Sequence, residues 1–270
     1  MHPENTVKKG KCDMLKKLYD KSQIWFAVAW IVAYCVLMSA GDLLSSLLGI
    51  EKSATLIVGI ALSAVLLLFL KKNGLFERYG LCRPNVPPRS MLFYIPVFLM
   101  LTVNLLYGVT WNYGMEETVF YILSMLCVGF LEEMIFRGLL FTAMRKDGVK
   151  AAVIVSSVTF GIGHIINLIN GSGAELLPNL LQVIYAASAG FMFVMIYDRS
   201  ESLFICIAAH GIFNALGVFA NEANATQGSR ISTAILLTAI TGFYAVYLAL
   251  AKGLRKHNQS KPLEEEQNEA

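Results

Sequence analysis

The feature that most constrains this chain is its division into long apolar blocks. Along 270 residues the stretches 24–48, 54–70, 91–107, 118–143, 151–169, 178–197, 202–219 and 231–251 are almost wholly apolar. About 20 such residues carry an α-helix across roughly 30 Å of hydrocarbon. Inside lipid every backbone N–H and C=O must be satisfied within the protein, which leaves helices as the natural solution for blocks of this length. The predicted fold is therefore all-α, a polytopic transmembrane helix bundle of about eight spans. Composition agrees: with 56% hydrophobic and only 15% charged residues, a water-soluble fold would have too little interior to hide its apolar side chains. The first block is too long for a signal-peptide core and is expected to remain as a span.

Charge supplies an orientation. Cytoplasmic loops close to spans concentrate Lys and Arg, and eight spans require alternate loops to share a side. The stretch before the first block, the second, fourth and sixth loops and the stretch after the last block together hold nineteen of the twenty-two Lys and Arg residues; Lys52 and Arg230 fall on the other side, and Arg137 lies within a span. Both termini are thus predicted to be cytoplasmic. The organisation that follows is a cytoplasmic basic tail at 1–23, one transmembrane helical domain at 24–251 and a cytoplasmic, disordered tail at 252–270. A net charge of +3 then reflects membrane orientation and contact with anionic lipid, with no sign of a nucleic-acid footprint. Of five cysteines, Cys35, Cys127 and Cys206 lie in apolar blocks and Cys12 and Cys82 in basic segments, a spacing that gives no disulfide framework.

Against this apolar background the ionisable residues stand out. Each charged side chain near the bilayer centre costs about 2.5 to 3.5 kcal/mol on insertion scales, so such residues face a protein interior or a cavity. The fourth block carries Glu132, Glu133 and Arg137 within six residues. Glu133 and Arg137 have the favourable order for a helical ion pair, acid four residues before base. Glu132 is turned by about 100° from Glu133, so one guanidinium cannot serve both acids equally, and one carboxylate is left for other work.

Two of four histidines, His2 and His257, fall outside the apolar blocks, whereas His164 and His210 lie within them. Asn214 follows His210 by four residues, on the same helix face. Counted from the basic boundaries at Arg145, Lys150 and Arg199, the depths of Glu132, His164 and His210 are roughly 20, 21 and 16 Å at about 1.5 Å per residue. Three contacting helices could bring them into one layer, and Gly138, Gly161, Gly163 and Gly211 beside them suit close helix approach or ligand access. A carboxylate beside imidazoles in a partly dry pocket can take a proton from water and return it to a leaving amine. A second imidazole and a carboxamide can donate to an oxyanion. The same Glu132, His164 and His210 could instead hold a divalent metal such as zinc that activates the water, and the sequence leaves both versions open.

In order, these residues spell Glu-Glu-x-x-x-Arg (Glu132, Glu133, Arg137), Phe-x-x-x-His (Phe160, His164) and His-x-x-x-Asn (His210, Asn214). The set resembles the CAAX-protease and bacteriocin-processing family (CPBP, or ABI). The resemblance covers about 120 to 215 and implies an intramembrane endopeptidase of glutamic or metallo type. It implies that Glu132 and His164 activate the water, that His210 and Asn214 hold the oxyanion, and that Glu133 with Arg137 orders the site, with Phe160 as further support. The implied partners are membrane lipid and a membrane-associated substrate: a lipid-modified, CAAX-like prenylated protein or a leader peptide. The compact size suggests a bacterial cytoplasmic membrane.

Two other readings use the same residues. A non-enzymatic immunity or scaffold protein would need the polar cluster only to order the bundle. A proton-coupled transporter would use it as an ion path, with Asp42 as a further candidate, although no inverted repeat is evident. No His-Glu-x-x-His helix, Gly-x-Ser-x-Gly elbow or glycine-rich phosphate loop is present, which sets those chemistries aside.

Overall fold

The computed structural model describes residues 14–87, 94–168 and 175–251. The expected disordered tail at 252–270 and the first thirteen residues of the basic tail lie outside the described residues. Among those described, eight apolar helices follow in order: α1 (Gln23–Leu48), α2 (Ser53–Lys72), α3 (Tyr94–Thr102), α4 (Met115–Arg145), α5 (Val149–Gly163), α6 (Leu176–Ser200), α7 (Phe204–Leu216) and α8 (Gln227–Leu250). They fall on the eight apolar blocks of the sequence. Residues 14–21, within the expected basic tail, are also helical.

Six of the helices (α1, α2, α4, α5, α6 and α8) are long and apolar enough to cross a membrane. The other two are shorter: α3 tightens into a 3-10 turn at Val103–Leu105, and α7 does so at Gly217–Phe219. Hydropathy alone gave all eight equal weight, because an apolar window does not register where the backbone leaves the α-helical path. The bundle turns apolar side chains outward as well as inward; Ile57 is 70% and Phe243 78% exposed, as suits a surface solvated by lipid chains.

Local chemistry sets the helix ends. The Ser22 hydroxyl accepts the Trp25 amide at 3.3 Å to start α1, a side-chain cap for an otherwise orphaned N–H. Gly49 ends α1 in the left-handed region at φ 68°, where a residue without Cβ pays no steric penalty.

The helix α4 is the axis of the molecule. It runs as an α-helix to Glu132, becomes π-helical over Glu133–Phe141 and returns to α-helix at Thr142–Arg145. The sequence reading expected one regular helix here. A π-helical stretch shifts its hydrogen bonds from i−4 to i−5 and is frequent at functional sites. Side chains help to satisfy the backbone: Ser156 of α5 donates to the Phe136 carbonyl at 2.8 Å, and Thr142 donates to the Arg137 carbonyl at 3.3 Å. Every residue from Leu131 to Phe141 is buried, because α1, α5, α6 and α7 all pack against this segment.

Small residues bring the helices together where there is no room for a side chain. A Cβ on Gly129 of α4 would lie 2.5 Å from the Gly211 nitrogen and 2.6 Å from its Cα on α7, and one on Gly161 of α5 would lie 2.6 Å from the Ala187 Cβ of α6. The Gly129–Gly211 crossing matters most, since His210 is the next residue along. By contrast, nothing lies within 4 Å of a Cβ built on Gly163. Gly129→Ala is therefore expected to destabilise the bundle by about 1–3 kcal/mol, read as a lower unfolding midpoint of the purified protein in detergent. Gly163→Ala is expected to leave that midpoint unchanged or slightly raised, since alanine is the better helix former.

Candidate active site

The π-helical turn of α4 places charged groups in the driest part of the bundle. Glu133 and Arg137 have side chains with no exposure to solvent, and Glu132 and His210 are also buried. Burying such groups is tolerable only if they are paired. The Arg137 guanidinium lies 3.1 Å from Glu133 Oε1, an ion pair that serves Glu133 alone, as the rotation between the two acids required. Its orientation does not align a hydrogen bond to that oxygen. Aromatic faces supply the rest: the guanidinium carbon stands 4.2 Å from the Phe160 ring centroid and 5.6 Å from that of Phe193, within cation–π range.

His210 is fixed on both sides. Its Nδ1 is 2.8 Å from Glu133 Oε1 and its Nε2 is 3.3 Å from Glu132 Oε2. Since a carboxylate can only accept, Nδ1 donates to Glu133. The ring stacks on Phe193 at 5.6 Å and meets the edge of Phe160 at 5.7 Å. With His210 protonated, two carboxylates face two cations and the buried set is neutral.

Glu132 uses its second oxygen differently. Tyr34, buried in the middle of α1, donates its hydroxyl to Glu132 Oε1 at 2.7 Å. This partner was missed from the sequence; a phenol within the first apolar block was visible, but nothing in the spacing tied α1 to α4. Phe193 was missed as well, and an aromatic residue in an apolar span carries no signal of its own.

His164 sits where α5 gives way to a 3-10 turn over His164–Leu168. Its Nδ1 lies 3.1 Å from the Phe160 carbonyl oxygen. A carbonyl cannot donate, so Nδ1 carries the proton, and in the neutral ring Nε2 keeps its lone pair. Asn179 of α6 holds the turn by donating to the His164 carbonyl at 2.8 Å.

A cavity of about 460 Å³ joins these groups; Tyr34, Glu132, Phe160, His164 and Asn214 are among its walls. A smaller cavity of about 50 Å³ is lined by His164, Phe193, His210 and Asn214. Glu132, His164 and Asn214 therefore border one space, with His210 reached from the adjoining one. Glu133 and Arg137 line neither; Glu133 Oε1 instead meets His210 Nδ1 behind the cavity wall. Asp42 lies elsewhere on the wall, 2.7 Å from Lys52 Nζ and accepting from Thr55 at 2.7 Å, a pairing that accounts for its charge at a helix end.

Among the described residues no group of three His, Cys, Asp or Glu side chains converges to hold an ion. Both His210 nitrogens are directed at glutamates, so the suggested set of Glu132, His164 and His210 would have to break those contacts to close on a metal.

Comparison with known proteins points to a lineage. Residues 113–216, from the start of α4 to the end of α7, match the family model described as Rce1-like, type II CAAX prenyl endopeptidase Rce1-like. Over that stretch the chain is similar to the CAAX-protease family. All seven motif residues fall inside the matched stretch, while Tyr34 lies outside it. Searches of curated proteins and of solved structures each found no match. Six long apolar helices and this match mark a multi-pass membrane protein that resembles a protease family over residues 113–216.

The Tyr34 contact can be tested on its own. A hydrogen bond to a charged group is worth about 1.5–3 kcal/mol, so Tyr34→Phe is expected to lower kcat by roughly ten-fold or more with KM nearly unchanged, if the phenol serves to aim Glu132. A rise in KM at constant kcat, measured on the detergent-purified variant, would assign Tyr34 to substrate binding instead.

Proposed function

We propose that this protein is an intramembrane endopeptidase in which Glu132 and His164 activate water against a peptide bond of a membrane-associated substrate, either lipid-modified and CAAX-like or a leader peptide. The observation that carries the reading is the shared cavity: a carboxylate, an imidazole whose Nε2 keeps its lone pair and a carboxamide, drawn from three helices, border one space. A structural ion-pair cluster has no need of such a space.

In this reading a water bound between Glu132 and His164 attacks the carbonyl carbon of the scissile bond. Its proton passes to this Glu–His pair as the C–O bond forms. Asn214 donates to the oxyanion, joined by His210 when Glu132, on taking up the proton, releases the imidazole Nε2–H that faces it. Collapse of the tetrahedral intermediate breaks the C–N bond, and the stored proton goes to the departing amine, leaving a carboxylate and an amine as products. Glu133 and Arg137 keep His210 in register, and Phe160 supports both the guanidinium and the ring of His164. The arrangement of the donors supports carboxylate–imidazole chemistry.

The same proposal includes topology. Nineteen of the twenty-two Lys and Arg residues lie on alternate connections and the two terminal stretches, so both termini are placed in the cytoplasm of a bacterial cell, and the two shorter helices α3 and α7 complete the eight crossings.

General acid–base groups contribute about 10²–10⁴-fold in rate. Glu132→Gln and His164→Ala are each expected to reduce cleavage by about that factor in proteoliposomes supplied with farnesylated CAAX reporters and leader-peptide reporters. Their unfolding midpoints should stay near that of the parent protein. Undiminished proteolysis by both variants would overturn the assignment.

A further inference from the structure

The two ends of the bundle are built differently. Toward the basic loops the interior below Glu132 is solid: Met134, Ile135, Leu139 and Phe141 are at most 1% exposed. Residues 73–87 after α2 and the turn between α6 and α7 close over it, with the Tyr79 carbonyl and Leu203 against Gly138. An aromatic cluster completes the seal. Tyr19 meets Phe26, Phe69 and Tyr79 edge-on at 5.3, 5.6 and 6.4 Å, and the Tyr79 hydroxyl donates to that of Tyr19 at 3.0 Å.

Among the described residues the opposite end is hollow. From Glu132 the large cavity runs past Cys35 and Ser39 to Asp42, Lys52, Asn104 and Gly217. These outer wall residues come from the C-terminal part of α1, the turn that follows it and the far ends of α3 and α7, all at the end of the bundle remote from the basic loops. The Asp42–Lys52 pair is partly exposed on both sides, at 24% and 19%, as a hydrated mouth requires. A second cavity of about 280 Å³, bordered by Tyr107, Asn221 and Arg230, lies at this same end. Polar side chains at this depth belong where water reaches.

Resting on the peptidase reading and orientation above, we propose that the catalytic cavity opens to the extracytoplasmic side, so that the substrate is a polypeptide segment presented in the outer half of the membrane, as in a chain during or after export. Lipid-modified tails that remain in the cytoplasm would meet the sealed end. The geometry thus favours the leader-peptide class of substrate over the cytoplasmic one.

The chain carries its own reporter, because Cys35 lies on the cavity wall and Cys82 lies in a basic loop. Intact cells and inverted membrane vesicles containing the full-length protein are treated with a membrane-impermeant methanethiosulfonate, and each cysteine is read by mass spectrometry. Ser39→Cys serves as a second reporter nearer the mouth. Cys35 or the Ser39→Cys thiol is expected to be labelled in intact cells and protected in inverted vesicles, with Cys82 showing the converse. Labelling of the wall positions from the cytoplasmic side, from both sides or from neither, or of Cys82 from outside, overturns the proposal. This outcome is independent of cleavage: an inactive Glu132→Gln variant with cytoplasmic labelling would retain the peptidase and remove only its outward opening.

Discussion

The structure depends on how one buried cation is neutralised. Arg137 has no exposed surface, and an unpaired guanidinium in the middle of a membrane bundle would cost several kcal/mol. Glu133 answers it with an ion pair, Phe160 and Phe193 with their faces, and Glu133 then passes its remaining influence to His210. Four helices must be correctly seated for that set to exist, since the participants come from α4, α5, α6 and α7. The electrostatic requirement is thus also a packing specification. It explains why the segment from Leu131 to Phe141 is buried on all sides.

Close helix approach makes the pairing feasible. The Gly129–Gly211 contact lets α7 lie near enough to α4 for His210 to reach both glutamates, and Gly161 lets α5 nest against α6. Without such contacts the carboxylates and the imidazole would be separated by the width of an ordinary side-chain layer. The π-helical turn does complementary work by widening α4 just where Glu133 and Arg137 must turn toward the aromatic residues. Its displaced carbonyls are accommodated by Ser156 and Thr142.

This arrangement divides the acids by environment. Glu133 is enclosed with a fixed cation and faces no cavity, whereas Glu132 borders open space, held by Tyr34 on one oxygen and near His210 on the other. Adjacent residues of the same type thereby acquire different surroundings, a fixed cation for one and open space for the other. The same contrast holds along the bundle: apolar packing fills the space on one side of Glu132, and polar residues line the cavity on the other.

Much of this was legible in the chain itself. Apolar blocks of membrane length located eight helices because lipid enforces internal backbone hydrogen bonding, and Glu132, Glu133, Arg137, His164 and His210 stood out because charge is expensive in such blocks. The i,i+4 spacing of Glu133 and Arg137 was enough to foresee their pairing, since one helix fixes that distance. What the sequence could not specify were relations between helices: Tyr34 reaching Glu132 across ninety-eight positions, the ring of Phe193 under His210, and the shortness of α3 and α7 relative to the other six. Those depend on rotation, depth and approach of separate elements. Only tertiary contact fixes these, because hydrophobicity is non-directional and many arrangements of eight apolar helices satisfy it equally well.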